Sequence, residues 1–132
     1  VIIENPAFFL NETAMYNMKY LADINKKIGK EEIDKWLKRF NLLEFKDKKV
    51  KTFSLGMKQR LALCQVFMEN PDVILLDEPF NAIDEDNLNI VYDLLKEQRE
   101  AGKIIVIASH IENNFNYDSI ITMNDGKISN VK

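Results

Sequence analysis

Apolar residues recur at helical spacing in the first half of the chain and gather into short unbroken runs in the second. Met15, Met18 and Leu21 or Ala22 share one face of a segment that Asn11 or Thr13 can cap, which predicts a helix to about Asp23. Ile33, Trp36, Leu37 and Phe40 repeat the pattern over residues 30–40. Ser54 is a good N-cap for a third helix, on which Met57, Leu61, Cys64 and Met68 form a stripe before Asn70-Pro71 ends it. The period then changes. Val73-Ile74-Leu75-Leu76 has no solvated face and predicts a strand buried on both sides in a parallel sheet. Pro79 lacks a donor and pushes Glu78 toward extended backbone, so the strand should stop at the acids. Asp84 or Asp86 can cap a fourth helix, with Leu88, Val91, Leu95 and Gln98 on one face and Gly102 beyond its end. Ile104-Ile105-Val106-Ile107-Ala108 reads as a second buried strand, and residues 111–117 as a short helix or turn. Ser119 to Met123 and Ile128 to Val131 flank Asn124-Asp125-Gly126-Lys127, the signal of a closing hairpin.

Strand, helix and strand from residue 73 to residue 108 make a βαβ unit, and the fold class expected is α/β. In such a unit both strands end on the same sheet edge, where open α/β sheets hold their ligands. Asp77-Glu78 and Ser109-His110 therefore share an edge. A carboxylate pair there suits a metal ion or a proton transfer, although a solvated strand end would also tolerate it. The start of the third helix, Ser54-Leu55-Gly56-Met57-Lys58-Gln59-Arg60, offers unpaired N–H groups and a positive dipole end, which suit a phosphate. Ser54 has the plainer reading of an N-cap, and so does Asp84. The two readings do not exclude each other.

Composition narrows the class. The 132 residues are 46 % hydrophobic and 30 % charged, with four glycines and three prolines, which suits one globular domain or part of a larger one. A net charge of −3 supplies no bulk attraction to nucleic acid. Cys64 is the single cysteine, lies on the apolar stripe of its helix and cannot form an internal disulfide. No apolar stretch approaches the roughly 20 residues of a membrane span. The basic run at 46–51 reads as a solvated loop, and Trp36 as core. Val1-Ile2-Ile3 reads as the end of a strand leading into the turn Glu4-Asn5-Pro6, so the chain looks like an excerpt of a longer protein.

Taken together, these stretches resemble the nucleotide-binding domain of an ABC transporter from its Q-loop onward. Ser54-Leu55-Gly56-Met57-Lys58-Gln59-Arg60 resembles the signature motif in the form common among bacitracin- and lantibiotic-type exporters. Ile74-Leu75-Leu76-Asp77-Glu78-Pro79 is similar to the Walker B strand with its catalytic glutamate, Asn81-Ala82-Ile83-Asp84 to the D-loop, and Ser109-His110 to the switch histidine. The resemblance implies an ATP-hydrolysing subunit that is cytoplasmic and peripheral on the inner face of the membrane. It would work as a dimer and drive a separate permease, with no nucleic acid partner. It implies further that Ser54, Gly56 and Met57 contact nucleotide held by the opposing subunit, and that Asn81 and Asp84 face that subunit. Asp77 and Glu4 would hold Mg²⁺, Glu78 would act as general base and His110 would reach the γ-phosphate of ATP.

Departures from the family pattern qualify this. Glu4 stands where the family usually has glutamine, and Leu55 and Met57 replace the commoner glycine and glutamine. No Gly-x-x-x-x-Gly-Lys-Ser/Thr occurs in the 132 residues, so these residues alone should not bind ATP usefully. The expected division is a Q-loop end and helical subdomain at 1–52, and the signature, Walker B, D-loop and switch-histidine part of the ATPase core at 53–132. The core would carry the C-terminal part of a P-loop NTPase-type parallel sheet, truncated and open to self-association or domain swapping. Two other classes fit the same motifs. One is a soluble, non-transport ABC ATPase of the translation-factor or DNA-repair type, and the other a non-catalytic interaction module. The short, globular insertion between Glu4 and Ser54 weighs against the first, and Glu78 with His110 against the second.

Overall fold

The computed structural model describes residues 6–132; Glu4 and the strand reading of Val1-Ile2-Ile3 lie outside the described residues. Helix α1 (Ala14–Asn25) opens where Thr13 accepts a hydrogen bond from the Tyr16 N–H, and ends at Lys26 in left-handed backbone. Helix α2 (Lys30–Arg39) has Glu31 and Glu32 in its first turn and Lys38 and Arg39 in its last, the polarity its dipole favours. Two short 3₁₀ turns, Leu43–Phe45 and Val50–Thr52, then bring the chain to helix α3 (Leu55–Met68). The expected solvated loop at 46–51 is thus partly structured. Val50 is wholly buried, and its N–H donates to the Glu12 carbonyl, pinning the connection to the start of α1.

The apolar faces of these helices meet in one core. Met18, Ile33, Leu37, Phe40, Leu42 and Leu63 are all at 0–1 % exposure. α3 buries more than its predicted stripe, with Gln59, Ala62, Leu63 and Phe67 inside as well as Leu61, Cys64 and Met68. Trp36 is only half-buried; its ring stacks on Phe67 and carries the Arg39 guanidinium 5.7 Å above it.

Strands β1 (Val73–Asp77) and β2 (Ile104–Ala108) pair in parallel, from Val73 opposite Ile104 to Asp77 opposite Ala108. Helix α4 (Glu85–Glu100) connects them and buries Val91, Leu94 and Leu95. One face of this pair joins the core through Ile74 and Leu76. The other does not: Val73 is 52 % and Val106 54 % exposed, beside Leu75 and Ile104. The expectation of burial on both sides is corrected on this point. An unbroken apolar run states that a strand is compatible with two covers, not that these residues supply both.

Residues 111–117 form no helix. Phe115 packs between Tyr92 and Tyr117, and the Asn113 carboxamide oxygen accepts from the Phe115 N–H and the Tyr117 hydroxyl, so side chains do the work of backbone bonds. Strands β3 (Ile121–Asn124) and β4 (Lys127–Val131) form the expected hairpin. Asp125 (φ 50°) and Gly126 (φ 74°) are both left-handed, as a two-residue turn of the I′ type requires. Every residue of the hairpin strands is exposed.

Candidate functional site

The carboxyl ends of β1 and β2 lie side by side, and Glu78 stands at their junction. The strand ends at Asp77, as the proline predicts, but Glu78 is not extended. Its φ is 49°, in the left-handed region. For a residue with a Cβ this costs about 1–2 kcal/mol, and the following proline disfavours it further. Such a conformation persists only where neighbours over-determine it. Here the Glu78 N–H donates to the Ala108 carbonyl at 2.8 Å, carrying the parallel ladder one residue beyond the strand.

This backbone aims the carboxylate at the end of β2. Glu78 is 9 % exposed. Its Oε1 accepts from the His110 N–H at 3.0 Å and also meets Nδ1 of the imidazole, while the Ser109 hydroxyl lies 3.4 Å from Oε2. Desolvation pushes the carboxyl upward, but the hydrogen bonds from the His110 ring and backbone, its charge, and Ser109 outweigh it and hold Glu78 below the ordinary carboxylate value. The His110 side chain itself is 73 % exposed, so the pair sits at the mouth of the strand ends rather than inside the core. Asp77, Glu78, Ser109 and His110 are therefore gathered on one sheet edge. Among the described residues no cluster of three or more His, Cys, Asp and Glu side chains could hold a metal by itself. Asp77 at a strand end is nevertheless a chemical fit for Mg²⁺, a cation commonly held by one or two carboxylates together with water and phosphate oxygens.

The start of α3 approaches the same loop from the other side. Ser54 caps it by accepting from the Met57 N–H at 3.1 Å. A Cβ placed on Gly56 would overlap the Ala82 carbonyl oxygen, so glycine is required where the helix touches residues 78–84. Ala82 is itself left-handed, with φ 61°. One turn on, Gln59 is 3 % exposed and its amide reaches the carbonyls of Glu78 and Pro79. Asp84 caps α4 through the Asn87 backbone and side-chain N–H groups. Those bonds, with Arg60 nearby, hold its carboxyl low. Arg60 bridges the Phe40 carbonyl at 2.7 Å and the Asn87 amide oxygen at 3.2 Å. Met57 is half-buried and Asn81 lies in the turn after Glu78, its N–H 3.4 Å from the Glu78 carbonyl.

Sequence reasoning passed over the roles of Gln59 and Asn17. Gln59 carries a legible signal, since Gly56, Gln59 and Leu63 fall at i, i+3 and i+7 and an uncharged amide in such a row needs buried partners. Asn17, 3 % exposed, accepts from the Phe9 N–H and donates to the Phe9 and Thr13 carbonyls, fixing the loop before α1.

An acidic strand end, a strand-end histidine and a helix start thus converge on the loop 78–84 of an α/β fold. The ABC transporter family model matches residues 1–81, and the chain belongs to that family. It is 39 % identical over 130 residues to the ABC transporter ATP-binding protein YybJ of Bacillus subtilis, covering 97 % of this chain and 60 % of that protein. It is 36 % identical over 111 residues to the bacitracin transport ATP-binding protein BcrA of Enterococcus faecalis, covering 83 % of this chain and 36 % of the relative. Among solved structures, an ATP-binding subunit of an ABC transporter superposes with a TM-score of 0.86 at 22 % identity, over 99 % of this chain and 57 % of the other. That likeness shows the fold. The chain spans between about a third and three fifths of the length of these relatives, so it carries a truncated portion of the fold, with its parallel sheet represented by β1 and β2. No helix among the described residues is long and apolar enough to cross a membrane.

Proposed function

We propose that these residues form the signature, strand-end and helical part of the ATP-hydrolysing subunit of an ABC transporter, driving export of a peptide or antibiotic through a separate membrane permease. The observation that carries the reading is the Glu78 carboxylate, nearly buried, charged in its setting and held against His110 at the carboxyl edge of a parallel strand pair. Its lowered pKa keeps the carboxylate in the charged form, which can hold and orient an attacking water, at the expense of basicity; the base role rests on its position at the strand ends beside His110. With Nδ1 occupied by Glu78, Nε2 of His110 is the ring atom left for a γ-phosphate oxygen. Nε2 can donate there while Nδ1 also donates to the carboxylate only in the imidazolium form. Asp77 would hold Mg²⁺, with Glu4 as a second oxygen donor, and the ion would neutralise charge on the phosphates. Ser54, Gly56 and Met57 at the start of α3 would meet nucleotide bound by a second nucleotide-binding subunit, with Asn81 and Asp84 close to the same interface.

The likeness to BcrA, a bacitracin transport ATP-binding protein, supports a peptide-antibiotic cargo. The subunit would sit on the inner face of the membrane, and residues 1–132 alone would be inactive. The test is Glu78→Gln in the whole protein, followed by phosphate release. Turnover is expected to fall about 10²- to 10⁴-fold, the range a positioned base supplies, with ATP binding retained. Unchanged turnover would remove the base role from Glu78.

A further inference from the structure

The backbone of Glu78 is gripped from two directions. On one side its N–H donates to Ala108 of β2 at 2.8 Å. On the other, the primary amide of Gln59 on α3 points Nε2 at the carbonyls of Glu78 (3.3 Å) and Pro79 (3.2 Å). A primary amide has two N–H groups, so one is available to each carbonyl. Gln59 is 3 % exposed, and its side chain makes these bonds across 19 and 20 residues of sequence. The peptide it holds is the one least able to hold itself. Glu78 is left-handed ahead of a proline, where extended backbone is the relaxed state, and Pro79 contributes no donor of its own.

We propose that Gln59 is a positioning residue that fixes the left-handed turn at Glu78 and so aims its carboxylate at His110. The inference rests on the reading of Glu78 as the group that acts on water. If the amide is removed, the Pro79 carbonyl loses this donor, the Glu78 carbonyl is left with the 3.4 Å contact from the Asn81 N–H, and the turn relaxes toward the extended geometry the proline prefers. The Cα–Cβ direction of Glu78 then swings away from the end of β2, parting the carboxylate from the His110 N–H, the His110 ring and Ser109. Binding of nucleotide is untouched, because the buried Gln59 side chain bonds the Glu78 and Pro79 carbonyls while the helix start at Ser54 keeps its own cap on the Met57 N–H.

The variant that tests this is Gln59→Met, which keeps the length and apolar body of the side chain and removes both donors. Hydrogen exchange on the full chain reads the turn directly. The Glu78 and His110 amides should exchange at least about tenfold faster while the Leu63 amide, deep in the same helix, keeps its protection. In the whole protein, kcat should fall about 10- to 100-fold, the penalty of an ångström-scale misplacement, with KM for ATP unchanged. Combined with Glu78→Gln, the same substitution should cost nothing more, since there is no longer a base to aim. Loss of protection spread evenly along α3 would assign Gln59 to packing alone and overturn the proposal, as would full turnover in Gln59→Met beside a dead Glu78→Gln. Full turnover in Glu78→Gln would instead strike the base reading, and the exchange result would still decide whether Gln59 holds the turn.

Discussion

The helical region and the strand region of this chain use similar amounts of apolar sequence and reach different ends. Around α1, α2 and α3 the apolar residues close on one another, with Met18, Leu37, Phe40, Leu42, Val50 and Leu63 at zero exposure. Around β1 and β2 they close on one side only. Ile74 and Leu76 are inside, while Val73, Leu75, Ile104 and Val106 are 41–60 % exposed. A helix with one apolar stripe needs one neighbour, and the helices here supply it to each other. A central parallel strand needs two covers, and α4 with the core is one. The difference teaches that the strand edge carrying Asp77, Glu78 and His110 rests on the less self-sufficient half of the molecule, and that cross-bonds from the better-packed half, such as those of Gln59, reach it.

The contrast can be broken by cutting side chains on either side of it. Leu63→Ala should cost about 2–5 kcal/mol of stability in urea unfolding, because the void left in a closed core is not refilled. Val106→Ala on the open strand face should stay within about 0.5 kcal/mol of the parent. Equal costs would mean that the open face is covered in solution. Gly56→Ala comes next. Its new methyl has to displace the Ala82 carbonyl, costing about 1–3 kcal/mol, against the roughly 1 kcal/mol that alanine gains as a helix former. A net loss confirms the close contact, and a net gain by thermal melting would show that the loop yields.

The open face also has a solution consequence. At high concentration, well above the dilution at which unfolding is measured and the face stays open, light scattering on the 15.4 kDa chain should give a mass above the monomer, and the pair Leu75→Lys with Val106→Lys should return it to the monomer. A clean monomer in the parent would show that the face is tolerated in water. The smallest effect sharpens the site itself. The folded pKa of Glu78 is lowered, so its contribution to stability is present above the unfolded carboxyl value, about 4.3, and is lost as pH falls through the lower folded one. The stability gap between the parent and Glu78→Gln, measured by denaturation at a series of pH values, should therefore shrink below about pH 4. A gap that grew on acidification would contradict the bonding seen at His110.

Much of the fold was legible because its signals are local. Thr13, Ser54 and Asp84 cap the helices expected of them, and Asp125-Gly126 makes the hairpin turn its residues demand. Cys64 is core, as its place on the stripe of α3 predicts. The gathering of Glu78, Ser109 and His110 was legible too, since a βαβ unit leaves both strand ends on one edge. The left-handed backbone of Glu78 was not. The local rule before a proline points to extended geometry, and bonds from Ala108 and from Gln59, 19 residues earlier in the chain, override it. For 111–117 the sequence left a short helix or a turn open, and the structure has no helix there, with Asn113 bonding the Phe115 N–H and Phe115 packed on Tyr92 of α4.

By itself the sequence determined the elements, their caps and the edge on which the acids and the histidine would meet, because period, capping and strand direction act over a few residues. Only the tertiary structure decided which apolar face would stay open, which conformation Glu78 would take and which side chain would hold it there. Those outcomes depend on what distant segments bring to a shared surface, and burial, unlike periodicity, is a property of neighbours in space.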